Sequence, residues 1–281
     1  MQSYERDGLV FDVRDRGEGP PVVLLHGWPG GATTWDETAE DLRRGGLRTL
    51  VPEQRGYSPG ARPAGSRPYV LGELVADLVA LLDAADLRTV HLVGHDWGGA
   101  VAWAAASAVP DRLASLTVLS TPHPRAMARA LWSSDQGLRS AYAVGFQLPV
   151  VPERLLLAGG GAVLRRVLER SGLSAEKASQ YVERQRSPGA LTASLAWYRA
   201  LRFGGGSSGS DPIAVPTLYV WSSGDAALGR RAAELTGDHV SGPYRFEVLD
   251  GVSHWIPEER PALVARLVAD HAAAHPVRPS T

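Results

Sequence analysis

The chain of 281 residues contains no cysteine, and this absence excludes disulfide bonds, a thiol nucleophile and thiolate metal sites. Lysine is nearly absent too, because Lys177 is the only lysine among 29 basic residues and the other 28 are arginine. The arginines are scattered, and 30 acidic residues balance them to a net charge of -1. We therefore expect neither a nucleic acid nor a membrane as partner, since either would favour a clustered basic excess.

The sequence also lacks a long apolar run, and none approaches the roughly 18 residues that a membrane-spanning helix needs. Its first residues, MQSYERDGLV, do not show the basic and then apolar order of a secretory signal. Apolar residues make up 44% of the chain and charged residues 21%, as is typical of a globular enzyme. The composition predicts a soluble, cytoplasmic protein.

Short runs rich in β-branched residues alternate along the chain with segments of helical periodicity. The predicted strands are Leu9–Arg14, Val22–His26, Arg48–Val51, Val90–Val93, Ser115–Leu119, Thr217–Trp221 and Arg245–Leu249. The predicted helices are Thr33–Arg44, Tyr69–Ala84, Gly99–Ala108 and Arg260–Ala274. This alternation indicates an α/β fold with a mostly parallel central sheet and helices on both faces. Ligands of such folds bind at the loops that follow the strands.

The alternation stops between about residues 123 and 210, where helical patterns follow one another without a convincing strand. We interpret this segment, 123–210, as a helical cap inserted into a core domain made of residues 1–122 and 211–281. The cap would end in GGGSSGS at residues 204–210, which is flexible by composition.

The stretch VGHDWGGA at residues 93–100 places a single carboxylate, Asp96, between a predicted strand and a predicted helix. Small residues on both sides of a central side chain are typical of a nucleophile elbow, a sharp turn that projects that side chain at the end of the sheet. The central residue is commonly serine. A carboxylate that attacks saturated carbon leaves an ester that water can cleave, whereas serine would leave a stable ether. Asp96 could instead cap the following helix. The other residues of the candidate site must therefore distinguish a nucleophile from a helix cap.

Two more polar residues follow predicted strands, in the order nucleophile, acid, base that an elbow enzyme uses. His254, in GVSHW, lies after the last strand and can act as the base. Asp225, at the end of WSSGD, can orient the imidazole and stabilise its charged form. Asp250 and Glu258 are rival orienting acids, but they lie close to His254 in sequence, which favours a role within its own loop.

The loop HGWPGG after the second predicted strand can aim the backbone N–H of Trp28 at the elbow. The N–H of Trp97 would supply the second donor of an oxyanion hole. An ordinary strand-to-helix loop would also contain glycine and proline. We expect His26 and His95 to be packed, hydrogen-bonded residues rather than a second base.

Together these motifs resemble the α/β-hydrolase superfamily and, within it, the epoxide hydrolases with an aspartate nucleophile. The matching motifs are HGWPG at 26–30, EQRGYSPGARP at 53–63, GHDWGG at 94–99, GFQLP at 145–149, AWYR at 196–199, SGD at 223–225 and GVSHW at 251–255. The resemblance implies the α/β-hydrolase fold with a helical cap inserted after the sixth strand. It implies hydration of an epoxide to a vicinal diol through a covalent aspartyl ester, without a metal or an organic cofactor. The resemblance implies a small-molecule substrate as the partner of the protein, and it leaves open whether two copies of the chain form a homodimer.

The resemblance also implies that two cap tyrosines, Tyr142 and Tyr198, bind the epoxide oxygen and give it a proton. A phenol suits this task, because its pKa near 10 keeps it protonated at neutral pH. The chain departs from the family at three positions: Ala141 replaces a frequent aromatic residue, Ala196 replaces an asparagine and Glu53 replaces an aspartate. We expect the two alanines to enlarge the pocket or to loosen the placement of the tyrosines.

Two other functions remain open. A haloalkane or haloacid dehalogenase would use the same aspartate and histidine, with Trp97 suited to binding a halide. Against this, haloalkane enzymes typically place asparagine where Trp28 stands, fluoroacetate enzymes follow the nucleophile with arginine, and a tyrosine pair has no purpose there. A non-catalytic, ligand-binding member of the fold is the other alternative, and the intact set of Asp96, Asp225 and His254 argues against it.

Overall fold

The computed structural model describes residues 1–204 and 212–277. An eight-stranded sheet lies at its centre, in the order β1-β2-β4-β3-β5-β6-β7-β8. The strands are β1 (Ser3–Arg6), β2 (Leu9–Arg16), β3 (Pro21–Leu25), β4 (Arg48–Pro52), β5 (Val90–His95), β6 (Leu113–Leu119), β7 (Thr217–Ser222) and β8 (Tyr244–Leu249). β2 pairs antiparallel with β1 and β4, and the pairs from β4 to β8 are parallel. The predicted α/β class and mostly parallel sheet are confirmed.

The helices, in chain order, are α1 (Asp36–Arg44), α2 (Leu71–Ala84), α3 (Trp97–Ala108), α4 (Pro124–Ser133), α5 (Gln136–Arg139), α6 (Ala141–Gly145), α7 (Val151–Leu156), α8 (Ala158–Arg170), α9 (Ala175–Arg186), α10 (Ala190–Ala200), α11 (Arg230–Leu235), α12 (Ile256–Glu259) and α13 (Pro261–Ala274). Short 3-10 turns occupy Ala32–Trp35, Arg67–Tyr69, Pro110–Arg112, Leu201–Phe203 and Thr236–His239. Within the described ranges, no helix is both long enough and apolar enough to cross a membrane.

Both faces of the sheet are covered, and this explains why its central strands are apolar without alternation. All five residues of β3, PVVLL, are buried. Val22 and Leu24 of this strand pack into the core cluster that contains α1 and α13 residues, whereas Val23 and Leu25 pack into the cluster on the other face, with α2 and α3. The period-two geometry of a strand sends neighbouring side chains to opposite faces, so both faces need apolar residues here.

Helices α4 to α10 lie between β6 and β7, so the helical insertion follows the sixth strand as predicted. These helices have their own apolar cluster, which includes Leu164, Leu168 and Tyr181 and extends to Trp255 of the sheet domain. The cap therefore rests on the carboxyl ends of the strands. Its predicted exit at 204–210 and the predicted boundary between 210 and 211 fall almost entirely outside the described residues.

Candidate active site

Asp96 occupies a sharp turn between β5 and α3, with φ 51° and ψ -122°. A positive φ costs a residue other than glycine on the order of 1–3 kcal/mol, and such strain collects at functional sites. The turn has no room for larger neighbours: a Cβ on Gly94 would lie 2.3 Å from the carbonyl oxygen of Gly98, and one on Gly98 would lie 2.1 Å from that of Leu25. Asp96 makes no side-chain capping hydrogen bond to α3, so the helix-cap reading of the motif does not hold.

A backbone donor fixes one oxygen of the Asp96 carboxylate. The N–H of Trp28 donates to Oδ1 at 2.7 Å, and the N–H of Trp97, the first residue of α3, helps to lower the pKa of the carboxyl group. The Thr121 hydroxyl donates to the backbone carbonyl of Asp96 at 2.6 Å, and this hydrogen bond stabilises the turn. Of the two N–H groups predicted to form an oxyanion hole, that of Trp28 therefore donates to the Asp96 carboxylate, while Oδ2 of the same group faces His254.

His254 lies between two carboxylates. Its Nδ1 is 2.8 Å from Oδ2 of Asp225, and its Nε2 is 3.6 Å from Oδ2 of Asp96. A carboxylate only accepts, so Nδ1 carries the proton in this pair. Oδ1 of Asp225 accepts from the backbone N–H groups of Ala227 and Leu228 at 2.8 and 2.9 Å, which holds the carboxylate in place. The structure thus pairs the imidazole with Asp225, and not with Asp250 or Glu258.

The three groups are electrostatically coupled. Burial by itself would lower the pKa of His254, but the charge and hydrogen bond of Asp225, and then Asp96, hold this pKa well above its ordinary value. Burial would likewise raise the pKa of Asp96, but the hydrogen bond and charge of His254 keep it below its usual range. Asp96 is therefore ionised and able to attack carbon. Esterification of Asp96 would remove one of the two anions that favour the imidazolium, which lowers the pKa of His254 and makes it a base.

His95 and His26 are packed residues, in agreement with the sequence-based expectation. Nε2 of His95 lies 2.9 Å from the carbonyl oxygen of His254, and the Ser120 hydroxyl donates to the same oxygen at 3.1 Å. Nε2 of His26 accepts from the backbone N–H of Gln54 at 3.3 Å. Burial lowers the pKa of His95 to about 4 and that of His26 to about 3, so both rings are neutral. Their hydrogen bonds hold the loops that carry Gln54 and His254.

The two cap tyrosines meet above Asp96. Their ring centres are 6.1 Å apart and their planes are inclined at 71°. Tyr198 is 5% exposed and Tyr142 is 44% exposed, so Tyr198 forms the inner wall and Tyr142 stands at the opening. Burial, together with the nearby charge of Asp96, raises the pKa of both phenols, which keeps them protonated. Gln147 donates to the Tyr198 carbonyl at 2.8 Å and ties the two tyrosine-bearing segments together.

A cavity of about 230 Å³ brings these residues together. Its lining residues are Trp28, Asp96, Arg139, Tyr142, Phe146, Leu156, Val167, Leu168, Ser171, Tyr198, Ala226, Ala227, His254 and Trp255. The wall contains neither Ala141, which is exposed, nor Ala196, which is buried in the sheet-side core. The expectation that these alanines enlarge the pocket or loosen the tyrosines stays a prediction. Among residues 1–204 and 212–277, no three His, Asp or Glu side chains are grouped so that they could hold a metal ion.

Sequence reasoning missed the cap residues that dock onto the catalytic loops. Gln136 donates to the Ala227 carbonyl and accepts from the Gly229 N–H, both at 2.8 Å, beside Asp225. Gln185 donates to the Pro29 carbonyl at 2.7 Å, beside Trp28. Each contact joins residues that are far apart in the chain, and no local pattern of the sequence signals them.

Glu258 is partly buried close to the site, and its hydrogen bond goes to Tyr181 rather than to Asp96, Asp225 or His254. Its Oε1 accepts from the Tyr181 hydroxyl at 2.5 Å, and its Oε2 is buried without a hydrogen-bond partner among the described residues. Burial raises the pKa of Glu258 to about 7, although the Tyr181 hydrogen bond and the charge of His254 act in the opposite direction. A carboxyl whose pKa is higher in the folded state than the ordinary 4.5 favours folding at low pH and loses that contribution as the pH rises through about 7.

We expect Glu258→Gln to be more stable relative to the unmodified protein at high pH than at low pH. The unmodified protein must bury an ionised carboxylate at high pH, whereas the amide is neutral at both pH values. A pKa of about 7 corresponds to a difference of up to about 3 kcal/mol in the free energy of unfolding between the two conditions. Urea unfolding of the variant and the unmodified protein near pH 4.5 and near pH 8 measures it. Glu259→Gln, one residue further along, is the matched control; a difference independent of pH for Glu258→Gln contradicts the expectation.

Comparison with known proteins places the chain among hydrolases. The family model described as alpha/beta hydrolase fold matches residues 20–261. The chain is 36% identical to the AB hydrolase superfamily protein YfhM of Bacillus subtilis, over 96% of each chain, and 31% identical to epoxide hydrolase A of Mycobacterium tuberculosis, over 92% of this chain and 93% of that protein. The crystal structure of epoxide hydrolase A from Mycobacterium thermoresistibile superposes with a TM-score of 0.83 at 28% identity, covering 98% of both chains.

Proposed function

The chain belongs to the alpha/beta hydrolase fold family, and from this premise we propose that it is an epoxide hydrolase, which adds water to an epoxide to give a vicinal diol. One observation carries the proposal: an ionised elbow carboxylate and two protonated tyrosines line the same cavity. A nucleophile for carbon and two acids for the leaving oxygen are what opening a strained cyclic ether requires. We also propose that residues 123–210 form the cap that supplies the tyrosines.

In the first step, Oδ2 of Asp96 attacks one epoxide carbon and forms a C–O bond. The bond between that carbon and the epoxide oxygen breaks, and its electron pair goes to the oxygen. Tyr142 and Tyr198 hydrogen-bond this oxygen, and one of them gives it a proton. The product is a hydroxyalkyl ester of Asp96. The alkoxide is far more basic than a phenolate, so the proton transfer is favourable.

In the second step, Nε2 of His254 takes a proton from a water molecule, which attacks the ester carbon of Asp96. The tetrahedral oxyanion forms at Oδ1, which already accepts from the N–H of Trp28, and the N–H of Trp97 is the second donor in this proposal. Asp225 stabilises the imidazolium and keeps the ring oriented. Release of the alkoxide with the proton from His254 yields the diol and leaves the Asp96 carboxyl group protonated by the hydroxyl that water supplied. Transfer of this proton through solvent to the tyrosinate left by the first step restores both the Asp96 carboxylate and the tyrosine. Side chains of this chain supply the nucleophile and the acid of the first step and the base of the second, in which water is the nucleophile.

A substrate panel tests the reaction class. The protein is incubated with aliphatic, styrene-type and polycyclic epoxides and, in parallel, with chloroalkanes, bromoalkanes and fluoroacetate. Diol formation is followed by gas chromatography, and halide release with an ion-selective electrode. We expect diols from epoxides. Halide release without diol formation would instead establish the dehalogenase, which uses the same Asp96 and His254 but has no need of phenol acids.

Tyr142→Phe and Tyr198→Phe are each expected to slow formation of the ester by about 10²-fold, because each removes a donor to the developing alkoxide. The double variant should be slower than either single variant, while hydrolysis of any ester that forms keeps its rate. Rapid-quench measurement of the single-turnover ester formation separates the two steps. Tyr57→Phe, a buried tyrosine outside the cavity wall, is the control. Unchanged ester formation in the double variant would remove the tyrosines from the mechanism.

A further inference from the structure

Arg139 is the only lysine or arginine in the wall of the substrate cavity within the described part of the chain. It lies at the end of α5, and its neighbours in the wall are Tyr142, Ala226 and Ala227. Most of the remaining wall is apolar. Leu156, Val167 and Leu168 are examples. A permanent positive charge in such a wall needs an explanation, because removing a charged side chain from water costs more free energy than removing a neutral one.

The contacts of the guanidinium account for only part of its hydrogen-bonding capacity. Nε donates to Oδ2 of Asp135 at 2.8 Å, and Nη1 donates to the carbonyl oxygens of Asp225 at 2.9 Å and Ala226 at 3.3 Å. Guanidinium has five N–H donors, and no hydrogen bond among the described residues uses the two on Nη2. The Arg139 side chain is 33% exposed, so these donors remain accessible.

The charge of Arg139 is also incompletely neutralised. Its acidic partner Asp135 is 57% exposed, and an ion pair with so exposed a carboxylate is strongly screened by water. The other carboxylates nearby, Asp96 and Asp225, both face the positively charged His254. Arg139 therefore retains attraction for an anion in the cavity.

We propose that Arg139 binds an anionic group of the substrate, so that the preferred epoxide carries a carboxylate. This inference rests on the proposed function and names the class of epoxide. The contact of Nη1 with the Asp225 carbonyl places the guanidinium beside the residue that orients His254, and Arg139 lines the same cavity as Asp96. We therefore expect the carboxylate of the substrate to lie close to the oxirane ring. The apolar remainder of the substrate then packs on Leu156, Val167 and Leu168. A short epoxy acid with an apolar substituent, such as an aryl glycidate, has this arrangement.

A purely structural role for Arg139 makes a different prediction. Its bonds to the loop of residues 225 and 226 help to dock the cap, and their loss would slow the turnover of every epoxide to the same extent. Recognition of an anion would lower turnover of a charged substrate more than that of a neutral one of the same shape. The ratio of the two therefore distinguishes recognition from docking.

The experiment measures kcat/KM for diol formation from 3-phenylglycidate and from the corresponding primary amide, with the intact protein and with three variants. The unmodified protein should prefer the acid by about 10-fold or more. Arg139→Gln should lower the ratio of acid to amide by about 10–100-fold, the range expected for a hydrogen bond to a charged group. Arg139→Lys should keep part of the preference because it keeps the charge. Arg129→Gln, an exposed position on α4 outside the cavity wall, should leave the ratio unchanged.

Two outcomes overturn the inference. If the unmodified protein does not prefer the acid, or if Arg139→Gln slows acid and amide equally, Arg139 docks the cap and does not recognise an anion. The ratio in the unmodified protein needs no variant, so this result stands even where a variant fails to fold. If neither these substrates nor the neutral epoxides of the panel give a diol, the proposed function itself fails. Turnover of neutral epoxides without a preference for the acid refutes the role of Arg139 alone.

Discussion

Replacing Asp96 by asparagine is expected to lower kcat for diol formation by about 10⁴-fold or more, the scale seen when a covalent nucleophile is removed. The amide can still accept from the Trp28 N–H, so the shape of the oxyanion hole is retained. It cannot attack carbon, however, and without the negative charge it no longer attracts the epoxide carbon as the ring opens. Diol yield with the best substrate of the epoxide panel measures the effect.

The control for this variant is Asp250→Asn, which removes an exposed carboxylate four residues before His254. It should retain full activity. Mass spectrometry of the intact Asp96→Asn protein before and after the assay shows whether the amide has reverted to the acid. Substantial turnover by protein that still contains asparagine would mean that water attacks the epoxide directly, and the covalent scheme would have to be abandoned.

His254→Gln is expected to separate the two steps. Asp96 keeps its nucleophilic oxygen and the tyrosines keep their protons, so the ester still forms. Its hydrolysis should slow by about 10³-fold, because no base near the ester carbon activates water. The peptide that contains Asp96 should then gain the mass of the epoxide and retain it after the free epoxide is removed. Peptide mass spectrometry after digestion is the measurement, and an absent adduct would rule out the aspartyl ester.

The pH dependence of the unmodified protein provides an independent check on the same step. Asp225 holds the pKa of His254 above its ordinary value, and only the neutral ring can act as the base. Ester hydrolysis should therefore be slow at low pH and become faster as the pH rises through the pKa that His254 has in the ester, with the adduct accumulating on the acid side. Asp225 is the anion that still raises this pKa once the charge of Asp96 is lost. Asp225→Asn removes the charge, which shifts the profile to lower pH while slowing the step through loss of orientation. A profile that does not respond to this substitution would place the orienting acid elsewhere.

Periodicity predicted most of the sheet, because a strand that is buried on both faces appears in the sequence as a continuous run of a few apolar residues. The run PVVLL of β3 could be recognised without any neighbour. β1 was missed because it has only four residues, SYER, of which Tyr4 alone is buried. Its identity as a strand comes from pairing with β2, and such a pairing is not visible in a segment with one apolar residue.

The candidate site divides in the same way. The elbow around Asp96 could be predicted because a sharp turn demands small residues at fixed offsets, and the structure shows why: added Cβ atoms at Gly94 and Gly98 would collide with backbone oxygens. The choice among Asp225, Asp250 and Glu258 as partner of His254 could be argued only from chain order. It depends on where β7 ends relative to β8, which is a property of the assembled sheet.

The sequence by itself determined the class of fold, the helical segment that interrupts the alternation of strands and helices, and the residues that flank the carboxylate elbow, since each of these follows from burial and turn geometry over a few consecutive residues. Only the tertiary structure decided that Gln136 and Gln185 hold the cap against the catalytic loops, that Ala141 and Ala196 lie outside the cavity wall and that Arg139 lies within it. These contacts depend on how separate helices and loops dock against each other. The packing of whole surfaces determines which distant residues meet, and such a contact produces no periodic pattern in the sequence of either segment.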